Sequence, residues 1–154
     1  SWTVQWLLGK AWHALGDAQR AASALERANE IEPGHDAVAR ELAGVYLELG
    51  RADEAVSLAE AAVSTEPQHA DLLANLALAY LIANRPEAAR KTIDAAIQIA
   101  ADDPVSQAVR RVIAEVQDGS RPAPQNLMDI QTAPPKGNPT WGQRVKRLLQ
   151  RFQR

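Results

Sequence analysis

The chain has no cysteine, so it offers neither a disulfide framework nor a thiolate for metal binding or nucleophilic attack, and the redox compartment stays open. Imidazole is confined to His13, His35 and His69. His35 and His69 stand just ahead of expected helices beside Pro-Gly and Pro-Gln, where a polar turn residue belongs, and His13 lies on a helix. No glycine-rich phosphate loop, no Ser-His-Asp order and no zinc-ligand spacing occurs. The pair Asp102-Asp103 directly precedes Pro104 and a helix, where acidic capping accounts for it. We therefore read the chain as a non-enzyme with no cofactor and no metal site. No apolar run approaches the roughly 18 residues of a membrane span, and residues 1–20 lack the basic start, apolar centre and small-residue cleavage site of a signal peptide. The compartment stays open, with a cytoplasmic setting favoured and peripheral attachment to a membrane as the alternative. The chain opens without methionine and already inside a helical pattern, which reads as a piece of a longer protein.

What is abundant is alanine. The apolar fraction is 46% over 154 residues, about one domain's length, and suits closely packed helices. A formal charge of -2 conceals an asymmetry: residues 1–118 hold 10 Lys+Arg against 18 Asp+Glu, whereas residues 119–154 hold 7 against 1. An acidic body is followed by a basic tail.

The body repeats itself every 34 residues. Leu42, Tyr46, Gly50, Ala55, Ala62 and Pro67 have upstream counterparts in Leu8, Trp12, Gly16, Ala21, Ala28 and Pro33, and downstream ones in Leu76, Tyr80, Asn84, Ala89, Ala96 and Ala101. A fixed period of this size signals stacked helical hairpins. Helical spacing and turn residues place helices near 2–15 and 18–31, 36–49 and 52–65, and 70–83 and 86–100. Asn84 replaces the turn glycine in the third hairpin, which asparagine tolerates because it accepts a left-handed backbone, and Pro86 can start the next helix. Residues 104–118 carry one apolar stripe, Val105, Ala108, Val109, Val112, Ile113 and Val116, with a polar remainder, as a capping helix requires.

These positions resemble the tetratricopeptide repeat (TPR): Leu8-Gly9-x2-Trp12, Ala21-x3-Leu25, Pro33; Leu42-Ala43-x2-Tyr46, Ala55-x3-Ala59, Pro67; Leu76-Ala77-x2-Tyr80, Ala89-x3-Ile93. The family's leading tryptophan is Gln5, Ala39 and Leu73 here, its phenylalanine is never present, and the third repeat ends without proline. The resemblance implies an all-α, right-handed superhelical solenoid over residues 1–118, with repeats at about 2–35, 36–69 and 70–103 and the cap at 104–118.

The resemblance further implies that the first helices of successive repeats line a concave groove for a protein or peptide partner. Matched by position, the groove candidates are Trp6, Lys10 and His13, then Arg40 and Leu47, then Asn75, Leu78 and Leu81. Trp6, Leu78 and Leu81 stand out as large apolar side chains without an assigned core role. The Lys and Asn set with which some relatives hold a terminal carboxylate is not reproduced, since Trp6 and Glu41 occupy two of its places and only Lys10 and Asn75 fit, so a chaperone C-terminus is not the expected ligand. The reading is a scaffold or adaptor that binds a peptide segment or a partner helix; a membrane-associated adaptor and a regulatory domain of a larger enzyme are the alternatives.

Residues 119–140 are rich in proline among polar residues, with an apolar island at Leu127, Met128 and Ile130, and read as an extended linker. Residues 141–154 become helical again. Trp141, Val145, Leu148, Leu149 and Phe152 fall within an arc of about 100 degrees, and Arg144, Arg147 and Arg151 lie outside it. This short basic amphipathic helix can dock on the acidic repeats of its own or a neighbouring molecule, enter a partner's groove, or lie on an anionic membrane. Nucleic acid is disfavoured, because the acidic body would repel its backbone.

Overall fold

Seven helices of 13 or 14 residues follow one another in the computed structural model, which describes residues 1–131. They are α1 Trp2–Ala14, α2 Ala18–Ile31, α3 Asp36–Glu48, α4 Ala52–Thr65, α5 Ala70–Ile82, α6 Pro86–Ile99 and α7 Pro104–Gln117; a short α8, Leu127–Gln131, comes after them. The turns inside the hairpins are set by residues at positive φ: Gly16 at 80°, Gly50 at 74° and Asn84 at 59°. Asparagine fills the left-handed position where the other two hairpins use glycine. The Asp17 carboxylate accepts from the Arg20 amide and the Asp103 carboxylate from the Ser106 amide, so α2 and α7 begin on acidic caps.

Each helix packs on the next, and α7 closes the array by packing on both α5 and α6. All described residues are helical or loop, and the molecule is an all-α solenoid of hairpins. Ala21, Ala55 and Ala89 are wholly buried where the two helices of each hairpin cross, which a larger side chain would force apart. Two apolar clusters result. One is centred on Leu25, Leu42, Val45 and Tyr46, the other on Leu73, Leu81, Ile93 and Ile113. First helices touch one another, α1 with α3 and α5 with α7, whereas second helices do not pair in this way, so α1, α3, α5 and α7 form the inner face.

Residues 120–131 correct the extended linker expected from their composition. The Arg121 side chain is buried, its Nε donating to Glu115 at 2.8 Å and its Nη1 to the Ile130 carbonyl at 3.2 Å. Pro124 is buried as well, and Leu127 and Ile130 pack on the apolar clusters, with α8 against α3. The segment is a strap that runs from the cap back to the middle repeat. It passes close to Gly50, where a Cβ would lie 3.1 Å from the Gln125 carbonyl. The proline and polar content that suggests a linker is outweighed by the apolar island, which finds a surface to cover. The expected basic helix, 141–154, lies outside the described residues, with its candidates Trp141, Arg144, Val145, Arg147, Leu148, Leu149, Arg151 and Phe152.

Candidate functional site on the inner face of the middle repeat

One pair of positions in each hairpin decides how tightly its helices meet. In the first repeat the pair is Gly9 and Leu25, and it has no room to spare: a Cβ on Gly9 would lie 2.6 Å from Leu25 Cγ. In the third repeat it is Ala77 and Ile93, both fully buried. In the middle repeat both partners are small, Ala43 and Ala59. A cavity of about 310 Å³ opens there, lined by Ala39, Ala43, Gly44 and Leu47 from α3, by Ala55, Leu58, Ala59 and Ala62 from α4, and by Leu72, Asn75 and Ala79 from α5. Polar groups reach its edge through Asp36, Arg40, Thr65, Glu66 and His69. An apolar floor with a few polar groups at the edge suits an apolar side chain delivered on a polar backbone.

Of the eight groove candidates, this cavity gathers Arg40, Leu47 and Asn75. Three others are engaged between the first two repeats. The Lys10 ammonium stands 3.6 Å from Glu41 and 4.8 Å over the Trp6 ring, and His13 bonds Glu48 at 2.7 Å. Trp6 is half-buried against the first cluster, with its indole N–H buried and unpartnered. Leu81 is a correction: it is 1% exposed, a core residue in the cluster that α7 completes through Val109 and Ile113. Leu78 is half-buried and touches both clusters, and Leu47, although it lines the cavity, is 6% exposed. The apolar residues expected to be free for a ligand are therefore largely covered: Leu47, Leu78 and Leu81 belong to or pack on the two clusters that α7 and the strap help to complete. Trp12, at the position where the middle repeat buries Tyr46, is only partly buried, since among the described residues no helix packs on the side of α1 away from α3.

The signal that sequence reading passed over was Ala59. It stands where the other repeats have Leu25 and Ile93, and a missing side chain at a core position predicts a void.

Beside the cavity the repeats are tied by charged hydrogen bonds. Tyr46 donates to Glu26 at 3.0 Å and Tyr80 to Glu60 at 2.6 Å, each tyrosine reaching back to the preceding repeat. Burial, and then the Glu26 carboxylate that accepts its proton, push the Tyr46 hydroxyl up to about 12. The hydrogen bond to Glu60 raises Tyr80 in the same direction. Arg51 lies 4.3 Å over the Tyr46 ring, pairs with Glu26 at 2.9 Å and holds Glu54 below the usual carboxylate range through a direct hydrogen bond.

The family profile described as tetratricopeptide repeat matches residues 13–61 and 49–113, most of the solenoid just described. The chain belongs to the tetratricopeptide repeat family. Solved TPR structures share the fold. MamA from Desulfovibrio magneticus RS-1, residues 41 to the end, is 21% identical with a TM-score of 0.70, covering 77% of this chain and 67% of its own. YrrB, a TPR protein with an unusual peptide-binding site, is 24% identical with a TM-score of 0.67 over 72% of this chain, which spans 57% of YrrB. The first TPR of Spaghetti (RPAP3), bound to the HSP90 peptide SRMEEVD, is 15% identical with a TM-score of 0.66 over 76% of this chain and 93% of its own. Among curated proteins none matches the chain in sequence. At these identities the likeness to solved TPR structures is one of fold. Among the described residues no helix is long and apolar enough to cross a membrane.

Proposed function

We propose that this TPR chain is a protein-interaction scaffold whose middle repeat takes an apolar anchor residue of a peptide or helix into the cavity between α3, α4 and α5. The observation that carries the reading is the Ala43–Ala59 pair, which leaves about 310 Å³ open on the inner face where the flanking repeats are filled. Arg40 and Asn75 at the edge position the ligand backbone or its polar side chains. Structural neighbours with peptide-binding sites, YrrB and the Spaghetti (RPAP3) TPR, make a peptide ligand a reasonable class. In the same reading the basic segment 141–154 is a ligand carried by the chain itself, since its charge is opposite to that of the repeats and its apolar stripe supplies Trp141 and Phe152 as anchors.

A displayed peptide library selected on the intact chain tests this. Recovered peptides should lose roughly tenfold or more in affinity when Arg40→Glu or Ala59→Leu is introduced. Peptides that bind both variants as tightly as the parent would place the binding site elsewhere. Deleting residues 132–154 and measuring liposome binding separates a tail that serves the repeats from one that serves an anionic membrane.

A further inference from the structure

The end of the solenoid at α1 is unlike its interior. Val4, Leu8, Ala11 and Leu15 form one stripe along and just beyond α1, and all four are exposed, Val4 at 60%, Leu8 at 43% and Leu15 at 76%. Thirty-four residues later the same positions are Val38, Leu42, Val45 and Leu49. The first three of these are 0%, 2% and 1% exposed and Leu49 is half-buried, because α2 packs against α3. The α1 stripe is thus a repeat-to-repeat interface on which no helix is seated among the described residues.

The groove beside the stripe carries its own chemistry. Between α1 and α2 lies a cavity of about 170 Å³ lined in part by Gln5, Leu8, Trp12, Arg20, Ala24 and Arg27. Gln5 Oε1 is buried without a partner, whereas the corresponding positions in the interior are the apolar Ala39 and Leu73. Trp12 takes the place held by Tyr46 and Tyr80, the two residues that reach back to Glu26 and Glu60 on the second helix of the preceding repeat. The Arg20 guanidinium lies 4.6 Å over the Trp12 ring. Asp17 stands 3.5 Å from Arg20 on the chain's own side; what the end face lacks among the described residues is a facing helix like α2 or α4, with an alanine and leucine stripe and a carboxylate of its own.

We propose that this end face seats the second helix of a further hairpin of the same repeat type, stacked ahead of α1, with a carboxylate turned toward Trp12, Arg20 and Arg27. A second copy of the described residues has no such helix to lend: α2 lies between α1 and α3, α4 between α3 and α5, and α6 between α5 and α7. The loops 32–35 and 66–69, which lead from a second helix into the next first helix, are four residues long and bring the two helices back antiparallel, so a hairpin joined ahead of Trp2 arrives in the same register. This inference is independent of the cavity in the middle repeat.

The test uses the absence of cysteine, which makes Ala11→Cys the sole thiol of the full chain. In the chain as it stands, that thiol should react with a maleimide far faster than the single thiol of Val45→Cys. Fusing a second, cysteine-free copy of residues 2–35 directly ahead of Trp2 should slow labelling of the Ala11→Cys thiol in the original repeat by about tenfold or more and raise Tm; Leu8→Glu in the original repeat should reverse both effects while leaving the unfused chain's Tm nearly unchanged. Unchanged labelling in a fusion that is folded by circular dichroism would overturn the proposal. So would slow labelling in the unfused chain: if concentration-dependent, it would identify a second copy as the occupant, and if not, the chain's own tail.

Discussion

Replacing Ala59 by leucine tests the cavity from two sides at once. The side chain at 59 is 7% exposed and borders about 310 Å³ of space, while its counterparts are Leu25, 1% exposed, and Ile93, 0% exposed. Leucine adds three carbons. At about 0.8 kcal/mol per buried methylene the gain is about 2.4 kcal/mol, from which about 0.5–1 kcal/mol of rotamer entropy is lost, leaving about 1.5 kcal/mol of added stability. For a chain of this size that corresponds to a rise in Tm of about 3–6 °C by calorimetry. The same leucine fills the space proposed for the ligand's anchor, so peptides selected on the parent should bind the variant about tenfold or more weakly in titration. Stability and binding then move in opposite directions, as expected where a core is left incomplete for function. A fall in Tm would mean that the space is not there to be filled. A rise in Tm with unchanged peptide affinity would leave the cavity as a packing defect and refute its role in recognition.

The remaining predictions concern the packing around it. Arg121→Ala removes the buried guanidinium that holds the strap, and hydrogen bonds to a charged group contribute about 1.5–3 kcal/mol; hydrogen exchange should show amides of residues 121–131 losing about tenfold or more of their protection while α2 and α4 keep theirs. Gly9→Ala should cost about 1–3 kcal/mol by forcing Leu25 aside, and adding Leu25→Ala should cost less than the sum of the two single losses, which a double-mutant cycle measures. Tyr46→Phe should cost about 1–2 kcal/mol in urea unfolding, through loss of the bond to Glu26. Because folding raises the Tyr46 hydroxyl from its ordinary 10 to about 12, its protonated form is favoured by the fold; that stabilisation is complete below pH 10 and disappears as pH rises toward 12. The parent should therefore lose stability over that alkaline range more steeply than Tyr46→Phe does.

Much of the fold is legible in one sequence because the repeat states the same local choices three times. Leu42 and Tyr46 are core residues in the middle repeat, Asn84 takes the left-handed turn in place of glycine, and Asp103 caps α7, all as residue type and position indicate. The strap was not legible, since Leu127 and Ile130 lie in a stretch whose prolines and polar residues dominate any local reading, and only the surface they cover explains them. The candidate site was half legible: Arg40, Leu47 and Asn75 do line one cavity, but Leu81 is core, because exposure at a matched position depends on what packs over it.

Periodicity, turn chemistry and charge determined the helices, their order and the acidic character of the body, since these depend on residues near one another along the chain. The tertiary structure alone decided which faces are covered. The first repeat leaves Leu8 open where the second buries Leu42, and the middle repeat holds a void where its neighbours are filled. The first depends on which helix packs over α1, and the second on volumes that α3, α4 and α5 contribute together, so Ala59 marks the place of the void in the sequence while its size comes from the packing.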